Sequence, residues 1–330
     1  MVIKRLITVL IVVTIVVLAG AAAWVYEQAT VAHKPPEAVE IVVPKGASSV
    51  KIARLLLQQQ VIISDVIFRL IVRMRNVGGH LRSGYYHFSQ PASMEQVLSR
   101  LQQGDVMRFQ VTVPEGLRTD EMLKLLAEKT APSVSDWQNE LDKQLQGETE
   151  GRLLPETYQY TKPIQPGKII KAMIRAQQDI ISKLSLEPEV QDRLRIMASI
   201  IEKETALDAE RPLVSAAIHN RLEKGMRLQM DPTVIYGIWR STGSFSGNIR
   251  KQDLAADTPW NTYTRKGLPP TPIGNPGAAS LRAAAQPADV DYLYFVADGS
   301  GGHAFASTLA EHQENVNRWI KTERKRTSVR

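Results

Sequence analysis

The sequence predicts an α+β protein carried on a single N-terminal transmembrane helix. Three observations carry that expectation. The amino terminus holds a long uncharged apolar run, short strand-like segments alternate with helical apolar periodicity behind it, and the segment from Leu194 to Ile201 is apolar on nearly every side. The last of these predicts a central buried helix in the larger of the outer domains.

Lys4 and Arg5 precede residues 6–25, "LITVLIVVTIVVLAGAAAWV", which contain neither charge nor proline. Twenty helical residues at about 1.5 Å rise cover about 30 Å, the thickness of the hydrocarbon core. Valine and isoleucine are weak helix formers in water, but lipid leaves the backbone no partner except itself. The expected division is a cytoplasmic tip at 1–5, an anchor at 6–26 and a linker at 27–38 stiffened by Pro35 and Pro36, with the basic pair inside. Ala19, Ala21 and Ala23 keep a cleaved signal peptide as the alternative. Its apolar stretch would exceed the roughly 7–15 residues of an ordinary signal.

Composition narrows the chemistry of the rest. The 330 residues are 43% hydrophobic and 23% charged, ordinary for a globular chain with room for one large or two smaller cores. The net charge of +7 is mild and partly concentrated in the tail "RWIKTERKRTSVR", which reads as a solvated or disordered end and not a nucleic-acid arm. The absence of cysteine excludes disulfides and thiolate metal sites. No H-E-x-x-H pair occurs, which argues against a zinc hydrolase, and no metal or other cofactor is expected.

Residues 39–43 read as a strand, followed by helices in "SVKIARLLLQQQ" and "SDVIFRLIVRMR", a strand in "SGYYHFS" and a helix in "SMEQVLSRLQQG" stopped by Gly104. "VTVPEGLRTDEMLKLL" then repeats the layout of "IVVPKGASSVKIARLL": a strand ends in Val-Pro-x-Gly and a leucine pair follows at the same distance (Leu55 and Leu56; Leu125 and Leu126). Between Asp136 and Gln191 helices are expected, broken by "GRLLPETYQY" and "PIQPG". Two strong helices follow, "EVQDRLRIMASIIEKET" and "RPLVSAAIHNRLEKG". From "RLQMDPTVIYGIW" to "PTPIGNPGAAS", dense proline, glycine and asparagine predict a long ordered loop region. "DYLYFVAD" is expected to be the last strand, with a "GSGG" turn and a closing helix behind it.

"SIIEKETALDAER" places Glu202 and Glu204 around one lysine at the end of an apolar helix. Positions three, four and seven before Glu204 are Ile201, Ile200 and Met197; those before Glu202 are Ser199, Ala198 and Arg195. The two carboxyls therefore point roughly 160° apart and do not form a cooperating pair while the segment is helical. Glu204 continues the apolar stripe, where lost hydration raises a carboxyl's pKa toward that of a proton donor. Solvation or an ion pair with a neighbour such as Arg211 is the competing reading for either glutamate, more so for Glu202.

"MASIIEKET", "NRLEKGMRLQMDPTVIYG", "NTYTRKGLPPTPIGNPG" and "YLYFVADGSGGHAF", in that order, closely resemble the endolytic murein transglycosylase (YceG-like) family. The resemblance runs from the anchor to the last helix and is strongest over residues 151–307. It implies a bacterial inner-membrane protein facing the periplasm, with a LysM-like module at about 39–105, a catalytic domain at 106–320 and the basic tail at 321–330. The family's catalytic glutamate matches Glu204, with Glu202 as the second candidate acid. The implied reaction cuts the β-1,4 bond between N-acetylmuramic acid and N-acetylglucosamine in peptidoglycan without water, leaving 1,6-anhydro ends. Gln229, Asp231, Asn261 and Tyr263 are candidates for holding the sugar, alongside Asn220, Arg221 and His303, each of which has loop or core scaffolding as its competing role. Trp260 stands where the family often has tyrosine. Expected partners are glycan strands, the inner membrane and peptidoglycan synthases, with no nucleic acid. A non-catalytic glycan-binding scaffold and a hydrolytic muramidase using a second carboxylate such as Asp231 are the alternatives.

Overall fold

A computed structural model describes residues 2–184 and 187–328; Met1 of the expected tip and the last two residues of the expected tail lie outside it. The chain divides into two compact units. The first runs to Phe109 and includes Gln159–Ile164, and the second comprises Gln110–Tyr158 and the chain from Gln165 onward.

In the first unit α1 (Val2–Thr30) takes up the apolar run and is long and apolar enough to cross a membrane. β1 (Val39–Val43), α2 (Ser49–Gln58), α3 (Asp65–Met74), β2 (Gly84–Phe88) and α4 (Met94–Gln103) follow. β1 and β2 pair antiparallel, Val39 opposite Phe88 and Val43 opposite Gly84, with α2 and α3 in the connection. Strand alternation sends Ile41, Val43, Tyr86 and Phe88 inward, so two of the aromatics in "SGYYHFS" are core residues. They meet Ile52 and Leu56 of α2, Phe68 and Ile71 of α3, and Val97 and Leu101 of α4 in one apolar cluster. Ser48, Ser64 and Ser93 each accept a backbone N–H from the first turn of the helix that follows, and Gly104, at φ +68°, ends α4.

β3 (Phe109–Thr112) and β4 (Thr157–Tyr160) form a two-stranded sheet. β4 lies inside "GRLLPETYQY", read from sequence as a break between helices. Four residues are too short to show a period, and partner pairing makes the strand.

The second unit holds α5 (Thr119–Lys129), α6 (Val134–Gln144), α7 (Pro166–Lys183), α8 (Pro188–Glu204), α9 (Arg211–Glu223), α10 (Asp231–Thr242), α11 (Lys251–Ala255), α12 (Ala278–Ala285), β5 (Tyr294–Ala297), β6 (His303–Ala306) and α13 (Leu309–Ser328). Every residue of α8 from Leu194 to Ile201 is buried, and α9, α10 and α12 pack against that helix. Three expectations need correction here. The predicted loop region contains α10, whose Pro232 occupies a first-turn position where no N–H is needed. Gly237 sits inside that helix because an added Cβ would stand 2.4 Å from Thr258 Oγ1. β5 is not the last strand: the "GSGG" turn closes a hairpin to β6, pairing Tyr294 with Ala306 and Ala297 with His303. α13 runs on to Ser328, so the basic tail is helical through that point and not a disordered end.

The two Val-Pro-x-Gly turns share a backbone conformation. Gly46 and Gly116 both lie at φ +75°, each between a strand and a helix, and Leu56 and Leu126 are both fully buried.

Candidate active site

Glu204 is the last residue of α8. Thr205 behind it is extended and returns its N–H to the carbonyl of Ile201 at 3.2 Å. Residue Glu204 keeps partial exposure, but its Oε1 is sealed from solvent and has no hydrogen-bond partner among the described residues. Burial pushes the carboxyl up to about 8; the charge of Asp231 adds to the rise and the Arg221 guanidinium opposes it. A position at the negative end of a helix disfavours a carboxylate in the same sense.

Three elements bring side chains to this carboxyl. Asp231 opens α10 and accepts a 2.6 Å hydrogen bond from the Tyr263 hydroxyl. Burial, and then that bond to Asp231, hold the Tyr263 phenol above its ordinary range, and the charge of Glu204 acts on it in the same direction. Asn261 is buried and positions Tyr263: its Oδ1 accepts the Tyr263 N–H at 2.8 Å, while its Nδ2 donates to the carbonyl of Ala256 at 2.6 Å. Arg221, on α9, spends its donors on backbone, Nε on the Leu293 carbonyl at 2.6 Å and Nη1 on that of Leu228. Gln229 adopts φ +51°, an uncommon left-handed conformation for a non-glycine residue, and its N–H reaches the Thr262 carbonyl at 3.1 Å.

Two candidates lie in bracing positions. Asn220 donates to the carbonyls of Val290 and Tyr292, both at 2.9 Å, and so ties α9 to the segment before β5. His303 meets Glu210 twice, through its backbone N–H and through Nδ1, both at 2.7 Å. The same Glu210 accepts from Thr205 Oγ1 at 2.9 Å, so the pair fixes the residue next to Glu204.

The YceG-like family model matches residues 41–318. The chain belongs to the YceG-like family. An endolytic murein transglycosylase of Bacillus subtilis is 31% identical over 312 residues, covering 86% of this chain and 85% of that protein. One from Streptococcus pneumoniae is 26% identical over 84% of this chain, which spans only 58% of the relative's length. The crystal structure of a putative YceG-like protein from Listeria monocytogenes superposes with a TM-score of 0.52 at 30% identity, covering 84% of this chain and 99% of that one.

In this YceG-like chain Glu202 makes the ion pair with Arg211 that the sequence offered as its competing role, but in a buried setting. Its side chain is only 6% exposed, where a polar stripe had suggested water. Oε2 accepts the Gly277 N–H at 2.9 Å and Oε1 faces Arg211 Nη2 at 3.4 Å. Arg211 also contacts Asp208 and donates Nε to Ser280 Oγ at 3.1 Å. Glu202 is thus neutralised and hydrogen-bonded in place of its hydration.

The sequence reading missed a third buried carboxyl, Glu150. Its Oε1 accepts from the Thr119 N–H at 2.9 Å and from Thr119 Oγ1 and Asn275 Nδ2 at 3.1 Å, and its Oε2 accepts from the Tyr236 hydroxyl at 3.3 Å. Burial lifts it to about 7. Its donors come from three distant segments, so no local motif announces it. A groove of about 520 Å³ is lined by Arg118, Lys124, Lys203, Tyr236, Trp239 and Phe245. Glu204 does not line it, but Lys203 is its chain neighbour and Pro232, the neighbour of Asp231, borders the same space.

Proposed function

We propose that this chain is a membrane-anchored endolytic murein transglycosylase that cuts the β-1,4 bond between N-acetylmuramic acid and N-acetylglucosamine, with Glu204 as acid and then base. The observation that carries this reading is the Glu204 carboxyl, whose Oε1 is sealed and without a hydrogen-bond partner among the described residues and whose pKa burial and the charge of Asp231 raise to about 8. The names of the B. subtilis and S. pneumoniae relatives point to the same reaction.

A neutral Glu204 donates its proton to the bridging oxygen as the bond to C1 breaks. The resulting carboxylate takes the proton of the muramic acid 6-hydroxyl, whose oxygen attacks C1 and closes the 1,6-anhydro ring. The nucleophile belongs to the substrate, so its effective concentration is high and no water needs positioning. One carboxyl then suffices where ordinary glycosidases use two. Asp231 and Tyr263 form a hydrogen-bonded pair beside Glu204 that is suited to hold sugar hydroxyl or acetamido groups. The neighbouring groove offers further sugars a wall of Trp239 with the Arg118 guanidinium over its ring at 3.8 Å, flanked by Lys124 and Lys203.

The accompanying reading places α1 in a bacterial inner membrane, the remainder in the periplasm, a LysM-like module at 39–105 and a catalytic domain at 106–320. Nascent glycan strands are the substrate, peptidoglycan synthases are candidate partners, and the mechanism uses no cofactor. The proximity of Asp231 favours one second reading, hydrolysis with two carboxylates.

Turnover of uncrosslinked glycan by Glu204→Gln and Glu202→Gln is the test. Glu204→Gln is expected to fold and to lose at least about a hundredfold in kcat, the scale of a general acid–base contribution. Glu202→Gln is expected to keep turnover and to lose stability. The reverse pattern would move the acid to Glu202.

A further inference from the structure

α3 has two apolar faces. Ile67, Phe68, Ile71 and Val72 fill the core of the first unit, while Val66, Leu70 and Met74 form a second stripe at i, i+4 and i+8 that is 61%, 41% and 76% exposed. Ile63, also exposed, continues the stripe at its amino-terminal end. Single exposed apolar residues are normal on a protein surface, but three in register along about 12 Å of one helix, with Ile63 just ahead of its N-cap, are a patch.

α1 packs against α3 and α4, and it does so through its last turns, where Val25 and Ala29 join the core of the first unit. Trp24 and Tyr26, in those same turns, are exposed. Such aromatics mark the level where a membrane span leaves the hydrocarbon for the headgroups. α3 therefore meets the span near the interface, with its second apolar stripe uncovered. Arg69, Arg73 and Arg75 lie among or just beyond the stripe residues; Arg69 pairs with Asp65 at 3.1 Å and Arg75 with Glu95 at 2.6 Å. An apolar stripe bordered by arginine suits the boundary between acyl chains and phosphates.

We propose that the outer face of α3 rests in the interfacial layer of the bilayer that α1 crosses, so that the first unit is seated on the membrane instead of hanging from a tether. The proposal depends on the reading of α1 as a membrane span. Seating would hold the first unit close to glycan strands emerging at the membrane surface.

The chain contains no cysteine, so single substitutions give unique labelling sites. The full-length chain is reconstituted in vesicles of phosphatidylethanolamine and phosphatidylglycerol. An environment-sensitive fluorophore is placed on Val13→Cys in the span, Leu70→Cys or Met74→Cys on the stripe, or Lys45→Cys in the β1–α2 turn. Lipid-borne nitroxides are expected to quench Val13, Leu70 and Met74 at least about twofold more than Lys45, with Met74 answering best to nitroxides placed at shallow depth. If Val13 is quenched while Leu70 and Met74 behave like Lys45, the seating proposal is wrong and the anchor stands. An unquenched Val13 removes the anchor reading and this proposal with it. Stripe positions shielded from both lipid-borne and aqueous quenchers would mean that protein covers the face, which also overturns the proposal.

Discussion

Glu202 and Glu204 stand two residues apart on one helix and meet opposite environments. Glu202 is held by Arg211 and a backbone N–H, whereas Glu204 has a sealed oxygen and the like charge of Asp231. That contrast yields two measurable pH effects. Asp231→Asn keeps an acceptor for Tyr263 but removes the charge that helps raise Glu204, so the alkaline limb of kcat/KM is expected to move down by on the order of one pH unit with activity retained. A dead Asp231→Asn enzyme would instead indicate a second catalytic carboxylate. The other effect is on stability. With its native pKa raised from 4.5 to about 8, Glu204 keeps a proton when folded that the unfolded chain has released, so its contribution to stability falls as pH rises across that window. Glu204→Gln lacks this penalty. Denaturant titration is expected to show the variant gaining on the parent chain between pH 5 and pH 8 by about 3–4 kcal/mol. The opposed directions of the two glutamates follow from helical geometry alone and were legible in the sequence. The grouping of Asp231, Tyr263 and Arg221 around Glu204 depends on how α9, α10 and the 261–263 segment fold together, which spacing along a chain does not encode.

The second Val-Pro-x-Gly turn shows why a local motif can carry long-range packing. The Gly116 N–H donates to the Asn275 carbonyl at 3.0 Å, the Asn275 N–H returns to Leu117 at 2.8 Å, and Lys203 Nζ reaches the Gly116 carbonyl at 3.1 Å. The turn thus ties the carboxyl end of α8 to the segment that leads into α12. A Cβ on Gly274 would stand 2.9 Å from that same Gly116 carbonyl, a backbone atom that has no rotamer to escape through. Gly274→Ala is expected to cost about 1–3 kcal/mol in chemical denaturation, and Gly79→Ala, with open space at its Cβ, much less. Helices with long apolar periodicity, α2 to α5 and α8, were readable because pattern and burial coincide. α10 was not: its proline and its glycine look like loop residues, and only the first-turn position of one and the close approach of Thr258 to the other explain them. β4 and β6 are four residues each and depend on pairing with β3 and β5.

At the scale of the molecule, an apolar helix opens the first of two compact units, and Glu204 belongs to the second. The apolar run was plain from composition, because about twenty uncharged residues in succession are long and apolar enough to cross a membrane. The central claim is that a single carboxyl, neutral near pH 7, cuts glycan without spending a water molecule. Mass spectrometry of the new chain ends, after full-length protein in detergent digests uncrosslinked peptidoglycan in ¹⁸O-labelled water, tests it most directly. The account predicts 1,6-anhydro-N-acetylmuramic acid at every new muramic end, with no ¹⁸O, and no such ends from Glu204→Gln. Reducing ends carrying ¹⁸O would contradict it.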